Sequence, residues 1–197
     1  MKLILNARHV VSFLFILPAL VLLFFDTKVE LQFSRDGLVQ GEWWRVLTAH
    51  FVHLNMLHGL LNLSVFIVLL YALGRQLSLL RWCLSGAVLC VSTSLCLFYF
   101  SPNVEWYVGL SGVLHGFLVL GLIFGAFKNH DIFQGVALLL LVVKIVREQL
   151  PSFDILHLSD WIDGAVVVDA HLYGVIIGSV LAAIFLLADF ALSNVDK

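Results

Sequence analysis

Six long apolar runs punctuate this chain, and no other feature narrows its fold so far. Crossing the hydrocarbon core of a bilayer as a helix takes about 20 mostly apolar residues. Runs of that kind fall near residues 10–25, 51–73, 79–100, 108–127, 132–146 and 165–187, the first and fifth being the shortest. Inside lipid each backbone N–H and C=O must be satisfied within the segment, which selects helices over open strands. The expectation is therefore an all-α membrane protein, a six-transmembrane-helix bundle forming one domain over residues 1–197. Composition points the same way. Of the 197 residues 61% are apolar and 12% charged, against about half and a quarter in soluble domains.

Other classes fall away on charge and cysteine usage. Eleven basic residues against 13 acidic ones leave no basic stripe for a nucleic acid. Cys83, Cys90 and Cys96 share one apolar run and read as small packing side chains, with no disulfide framework. The first run follows Lys2 and Arg8, as a signal peptide would. It ends in Phe24-Phe25-Asp26-Thr27-Lys28 with no small-residue cleavage pattern, so it is expected to be retained. Lys2, Arg8, Arg75, Arg81, Lys128 and Lys197 fall on one side if the chain starts in the cytoplasm. Lys28, Arg35, Arg45, Lys144 and Arg147 then fall on the other, together with most of the acids. The basic short loops favour both termini inside. All five tryptophans sit at span ends, as an interfacial belt requires.

Polar and ionisable groups within spans mark function, because each is costly there. The second run carries His53, His58 and Asn62, the fourth Ser111 and His115, and the sixth Asp169 and His171. These three spans run in the same direction, and each carries its polar residues toward its start. They are expected to cluster at one depth, near the outer face. A serine becomes a nucleophile when a base takes its proton, and imidazole suits that task. His58 and Asn62, four residues apart, share a helix face and can donate to an oxyanion. Gly112 with Gly116, and Gly174 with Gly178, form two G-x-x-x-G patterns that permit close helix approach. His50 and His53 lack a suitably spaced third ligand and are read as hydrogen-bonding groups, so no metal site and no cofactor is expected. His130 and His157 carry no hypothesis.

Three stretches together resemble the rhomboid family of intramembrane serine proteases. Trp44-Arg45, Thr48 and the run from His53 to His58 and Asn62 resemble its W-R loop and H-x-x-x-N helix. Gly109-Leu110-Ser111-Gly112 resembles its G-x-S-G, and His171 to Gly178 its H-x-x-G-x-x-x-G. The resemblance implies a Ser111–His171 catalytic dyad without a third carboxylate. It also implies an oxyanion and substrate site from His58, Asn62, Gly109, Leu110 and the Ser111 amide, and a first loop structured by Arg45 with Glu42 and Trp44. Asp169, two residues before His171, is on another helix face and is read as a helix N-terminal or interfacial group.

Two departures narrow the resemblance. Where many rhomboids stack an aromatic residue on the catalytic histidine, this chain has His115, followed by Gly116. The first outer loop is short. Both are similar to the compact subgroup called rhombosortases. That implies a bacterial inner-membrane enzyme with its site near the periplasmic face, acting on clients that end in Gly-Gly, a transmembrane span and a basic tail. His115, Gly112, Gly174 and Arg45 would support the site. The alternatives are a general rhomboid protease or a non-catalytic rhomboid-like protein that binds membrane clients. No H-E-x-x-H or internal repeat supports a zinc protease or a transporter.

Overall fold

A computed structural model describes residues 7–73, 76–150 and 158–195. Lys2, Arg75, His157 and Lys197, named above, lie outside the described residues. The chain opens with α1 (Ala7–Leu22), then a lateral segment of α2 (Lys28–Leu31), β1 (Phe33–Ser34), α3 (Arg35–Val39) and α4 (Arg45–Thr48). There follow α5 (Met56–Leu73), α6 (Leu79–Phe100), β2 (Trp106–Tyr107), α7 (Ser111–Ile123), α8 (Ile132–Glu148), α9 (Leu158–Ile162) and α10 (Val168–Val195). A π-helical turn, Phe124–Lys128, extends α7.

Among the described residues four helical segments are long and apolar enough to cross a membrane: Met56–Leu73, Leu79–Phe100, Ser111–Lys128 and Val168–Asn194. The remaining two expected spans are shorter helices, α1 with 16 residues and α8 with 17. The second, fourth and sixth spans begin later than their apolar runs suggest; α5 starts at Met56, which leaves His53 in the loop ahead of the helix. Gly109 adopts φ +112°, a left-handed conformation that interrupts the helix ahead of Ser111. The last helix starts at Val168 and continues to Val195.

Helix α7 is the axis of the bundle. None of its side chains is exposed, and Val113, Leu114, Phe117, Val119, Leu120 and Leu122 are buried, whereas Leu60, Val68, Leu139, Leu140, Ile184 and Leu187 on its neighbours face outward. An apolar exterior around a packed centre is the arrangement lipid solvates. Trp82 and Phe117, with ring centroids 4.5 Å apart, lie in the main core with Phe15 and Phe66.

The α7–α10 contact is backbone on backbone. A Cβ on Gly112 would lie 2.8 Å from the Ala170 carbonyl oxygen. One on Gly174 would collide with the Gly112 oxygen, and one on Gly178 with the Gly116 oxygen. Two glycine pairs thus interlock, and the approach they permit sets Ser111 beside His171. At the far end of α7, Asp189 pairs with both Arg81 and Lys128, joining α10 to the start of α6 and to the π-helical turn.

The lateral segment is organised by two arginines. The Arg45 guanidinium donates to the Val29 and Gln32 carbonyls at 2.7 and 2.9 Å, and to Glu42 Oε2 at 2.5 Å. Arg35 donates to the carbonyls of Leu97, Phe98 and Ser101, at 3.0, 2.7 and 2.8 Å. Those oxygens close α6, where a cation complements both the free carbonyls and the helix dipole. β1 pairs antiparallel with β2, Phe33 opposite Tyr107, which ties this segment to the residues leading into Ser111.

Candidate active site

The starts of α5, α7 and α10 converge at one end of the bundle around a cleft of about 710 Å³. Ser111 is the first residue of α7, so its amide has no partner within the helix. His171, 5% exposed, lies in the first turn of α10. Its Nε2 is 3.0 Å from Ser111 Oγ.

His58, Asn62 and Gly109 meet on the other side of the serine. His58 Nδ1 accepts from the Leu54 amide at 3.4 Å, which leaves Nε2–H as the donor end of the ring. That end rests against Gly109, where an added Cβ would lie 3.0 Å from Nε2 and 3.8 Å from Asn62 Nδ2. Gly109 is therefore required twice, for its φ and for the space above it. The Asn62 amide spends one hydrogen on the His58 carbonyl at 3.0 Å and has a second to give. Leu110 is fully buried and anchors the turn. The Gly109 amide donates to the Ala49 carbonyl at 2.9 Å, and Tyr107 Oη donates to the Gly109 carbonyl at 2.6 Å. Leu61, Val65, Leu114 and Val166 add apolar walls to the cleft.

His115 stacks on His171, ring centroids 4.1 Å apart and planes 21° from parallel. Its Nδ1 lies 2.7 Å from the Ser111 carbonyl and its Nε2 2.9 Å from Lys144 Nζ. Lys144 in turn reaches Glu148 Oε1 at 2.5 Å, and Glu148 Oε2 lies 3.0 Å from His171 Nδ1. The Glu148 side chain is wholly buried.

A carboxylate on the base departs from the bare pair that the sequence resemblance implies. Sequence spacing does not point to Glu148, which lies 23 residues from His171 and past the expected end of the fifth span, in a stretch with the polarity of an outer loop. In the structure α8 continues to Glu148 and turns it inward. One signal was present: Lys144 and Glu148 are a lysine and a glutamate four apart at the end of an apolar helix, a spacing that pairs them on one face. Asp169 faces elsewhere, accepting from Ser101 Oγ at 2.5 Å.

His115, Glu148 and His171 offer ligand atoms within 4.8 Å of one another, close enough to suggest a metal. Lys144 argues otherwise, since its ammonium already supplies the positive charge between His115 and Glu148. Of the two histidines read as hydrogen-bonding groups only His50 is one among the described residues: its Nε2 contacts the Cys90 carbonyl at 2.8 Å and Ser94 Oγ at 3.0 Å, whereas neither ring nitrogen of His53 has a partner and that ring packs edge-on against His58. Burial pushes the His50 pKa down to about 4, so its ring is a neutral strut under the loop.

A membrane-helix bundle with a serine against a histidine at the mouth of a cleft defines the class as a candidate intramembrane hydrolase. Residues 40–188 match the Rhomboid domain, and the chain belongs to that family. It is also similar to a Bacillus subtilis (strain 168) protein named "Putative rhomboid protease YdcA", with 29% identity over 133 residues, 64% of this chain and 67% of that protein. The Rhomboid match over residues 40–188 contains every site residue described above. Rhomboid proteases are intramembrane serine proteases acting on membrane-protein substrates.

Proposed function

We propose that this protein is an intramembrane serine endopeptidase in which Ser111 is the nucleophile and His171 its base. One observation carries the reading: Ser111 Oγ lies 3.0 Å from His171 Nε2 in a cleft that also holds hydrogen-bond donors. Ser111 Oγ attacks the scissile carbonyl carbon while its proton passes to His171 Nε2. The oxyanion receives hydrogen bonds from the Ser111 amide, His58 Nε2 and Asn62 Nδ2. On collapse the C–N bond breaks and the leaving amine takes the proton from His171. Water, deprotonated by the same imidazole, then releases the acyl group from Ser111.

The finer reading is a rhombosortase that removes C-terminal Gly-Gly sorting tails near the outer face of a bacterial inner membrane, with both termini in the cytoplasm and six spans in all. Its support is His115 in the stacking position on His171, together with the short first loop. A helix hides its backbone, so cleavage needs a local opening. Glycine costs a helix about 1 kcal/mol relative to alanine, and two in succession at the outer end of an anchor favour unwinding. The test is a client with Gly-Gly ahead of its span and a basic tail after it. Cleavage is expected near the glycine pair, abolished by Leu-Leu and partly kept by Ala-Ala. Equal cutting of all three would refute the sorting role and leave a general rhomboid protease.

A further inference from the structure

The site contains a closed ring of hydrogen bonds that the two-residue reading leaves unused. Starting at the Ser111 carbonyl, it runs through His115, Lys144, Glu148 and His171 and returns to the Ser111 hydroxyl. The successive separations are 2.7, 2.9, 2.5, 3.0 and 3.0 Å. Each proton in this ring has one consistent place. The Ser111 carbonyl only accepts, so His115 Nδ1 carries hydrogen and Nε2 is its lone pair. Lys144 has only donors, and gives one to that lone pair and one to Glu148 Oε1. Glu148, ionised beside the ammonium, only accepts, so His171 Nδ1 carries hydrogen and donates to Oε2. The Nε2 lone pair of His171 is thereby directed at the Ser111 hydroxyl, the one tautomer in which the imidazole can act as base.

From this geometry we infer that Glu148 is a positioning residue that fixes the tautomer and orientation of His171, completing a Ser111–His171–Glu148 triad, with Lys144 and His115 holding the carboxylate and the ring. The inference rests on the catalytic reading of Ser111 and His171. When the Ser111 proton moves to His171 Nε2, the imidazolium keeps its Nδ1–H and directs it at Glu148. Glu148 gains no proton and supplies a negative charge against the new positive one. Its side chain is shielded from solvent, which strengthens its interaction with the imidazolium. The ring also gives the stacked His115 a purpose that packing alone does not require: it couples the lysine to the backbone of the nucleophile.

A structural alternative makes the opposite forecast. If Glu148 merely balances Lys144, removing the lysine as well should repair its loss. Glu148→Gln is expected to lower kcat by about 10⁴-fold, the size of effect seen when an amide replaces a triad carboxylate, with KM changed less than about threefold. The Lys144→Met/Glu148→Gln protein is expected to fold like the parent and to stay as slow as Glu148→Gln. Glu148→Asp should recover part of the turnover. In ¹⁵N-histidine-labelled protein, a low-field proton on His171 Nδ1 is expected in the parent and in Ser111→Ala, and not in Glu148→Gln. Parent-like turnover in Glu148→Gln would overturn the inference. So would restoration by Lys144→Met, or survival of the low-field resonance without the carboxylate. Failure of the underlying catalytic reading would look different: the parent would cleave nothing, while the resonance would still report whether Glu148 holds His171.

Discussion

Substituting Gly174 by alanine tests how the bundle builds its site. The added Cβ collides with the Gly112 carbonyl oxygen and lies 3.3 Å from the Gly116 amide nitrogen. Both neighbours are backbone, so no rotamer relieves the clash, and α10 must withdraw from α7 by on the order of 1 Å. Overpacking of this kind costs about 1–3 kcal/mol, while alanine's better helix propensity returns about 1 kcal/mol. Gly135→Ala in α8 separates the two effects, because its Cβ would meet only Ala126 Cβ, at 3.9 Å. Propensity cancels between the two variants, so Gly174→Ala should be the less stable by about 1–3 kcal/mol. The 3.0 Å Ser111–His171 contact opens with the helices, and a misplacement of about 1 Å costs roughly a hundredfold in rate. Thermal unfolding in detergent micelles and kcat on a fluorescent transmembrane substrate provide the readouts. Equal stability of the two variants, with kcat of Gly174→Ala within threefold of the parent, would refute the interlocked-glycine account.

Two further predictions concern groups around the serine. His58→Ala and Asn62→Ala should each lower kcat by about 10²–10³-fold with smaller changes in KM, the usual cost of an oxyanion donor. A variant that keeps full turnover would reassign its residue to inter-helix packing. At position 115, His115→Phe retains a ring to stack on His171 and should preserve part of the activity, whereas His115→Ala should lose more. Inactivity of His115→Phe equal to that of His171→Ala would give His115 a chemical role.

The parts of the site legible in the sequence are those that local spacing encodes. Ser111, His171, His58 and Asn62 stand at the starts of same-direction spans, and the glycine patterns announce a close helix pair. The α5, α6, α7 and α10 spans follow from apolar length. Spacing does not reveal what a helix end meets across the bundle. Glu148 pairs with His171 from another helix, so no motif joins them, and one extra half-turn of α8 changes it from loop residue to buried carboxylate. Arg35 looks in the sequence like one more outer charge, yet it closes α6 through three carbonyls. The short helices α2 to α4 and the β1–β2 pair were equally hidden. They depend on Arg45 and on contacts between segments far apart in sequence, which periodicity does not record.

The central claim is that Ser111, activated by His171, is a nucleophile inside the membrane bundle. A fluorophosphonate, which captures activated serines, addresses it directly when the adduct is mapped by peptide mass spectrometry on the purified protein. The expected result is a single adduct on Ser111 in the parent, none in Ser111→Ala or His171→Ala, and loss of client cleavage in both variants, with the double variant no slower than either. Client cleavage persisting in the Ser111→Ala protein would contradict the account.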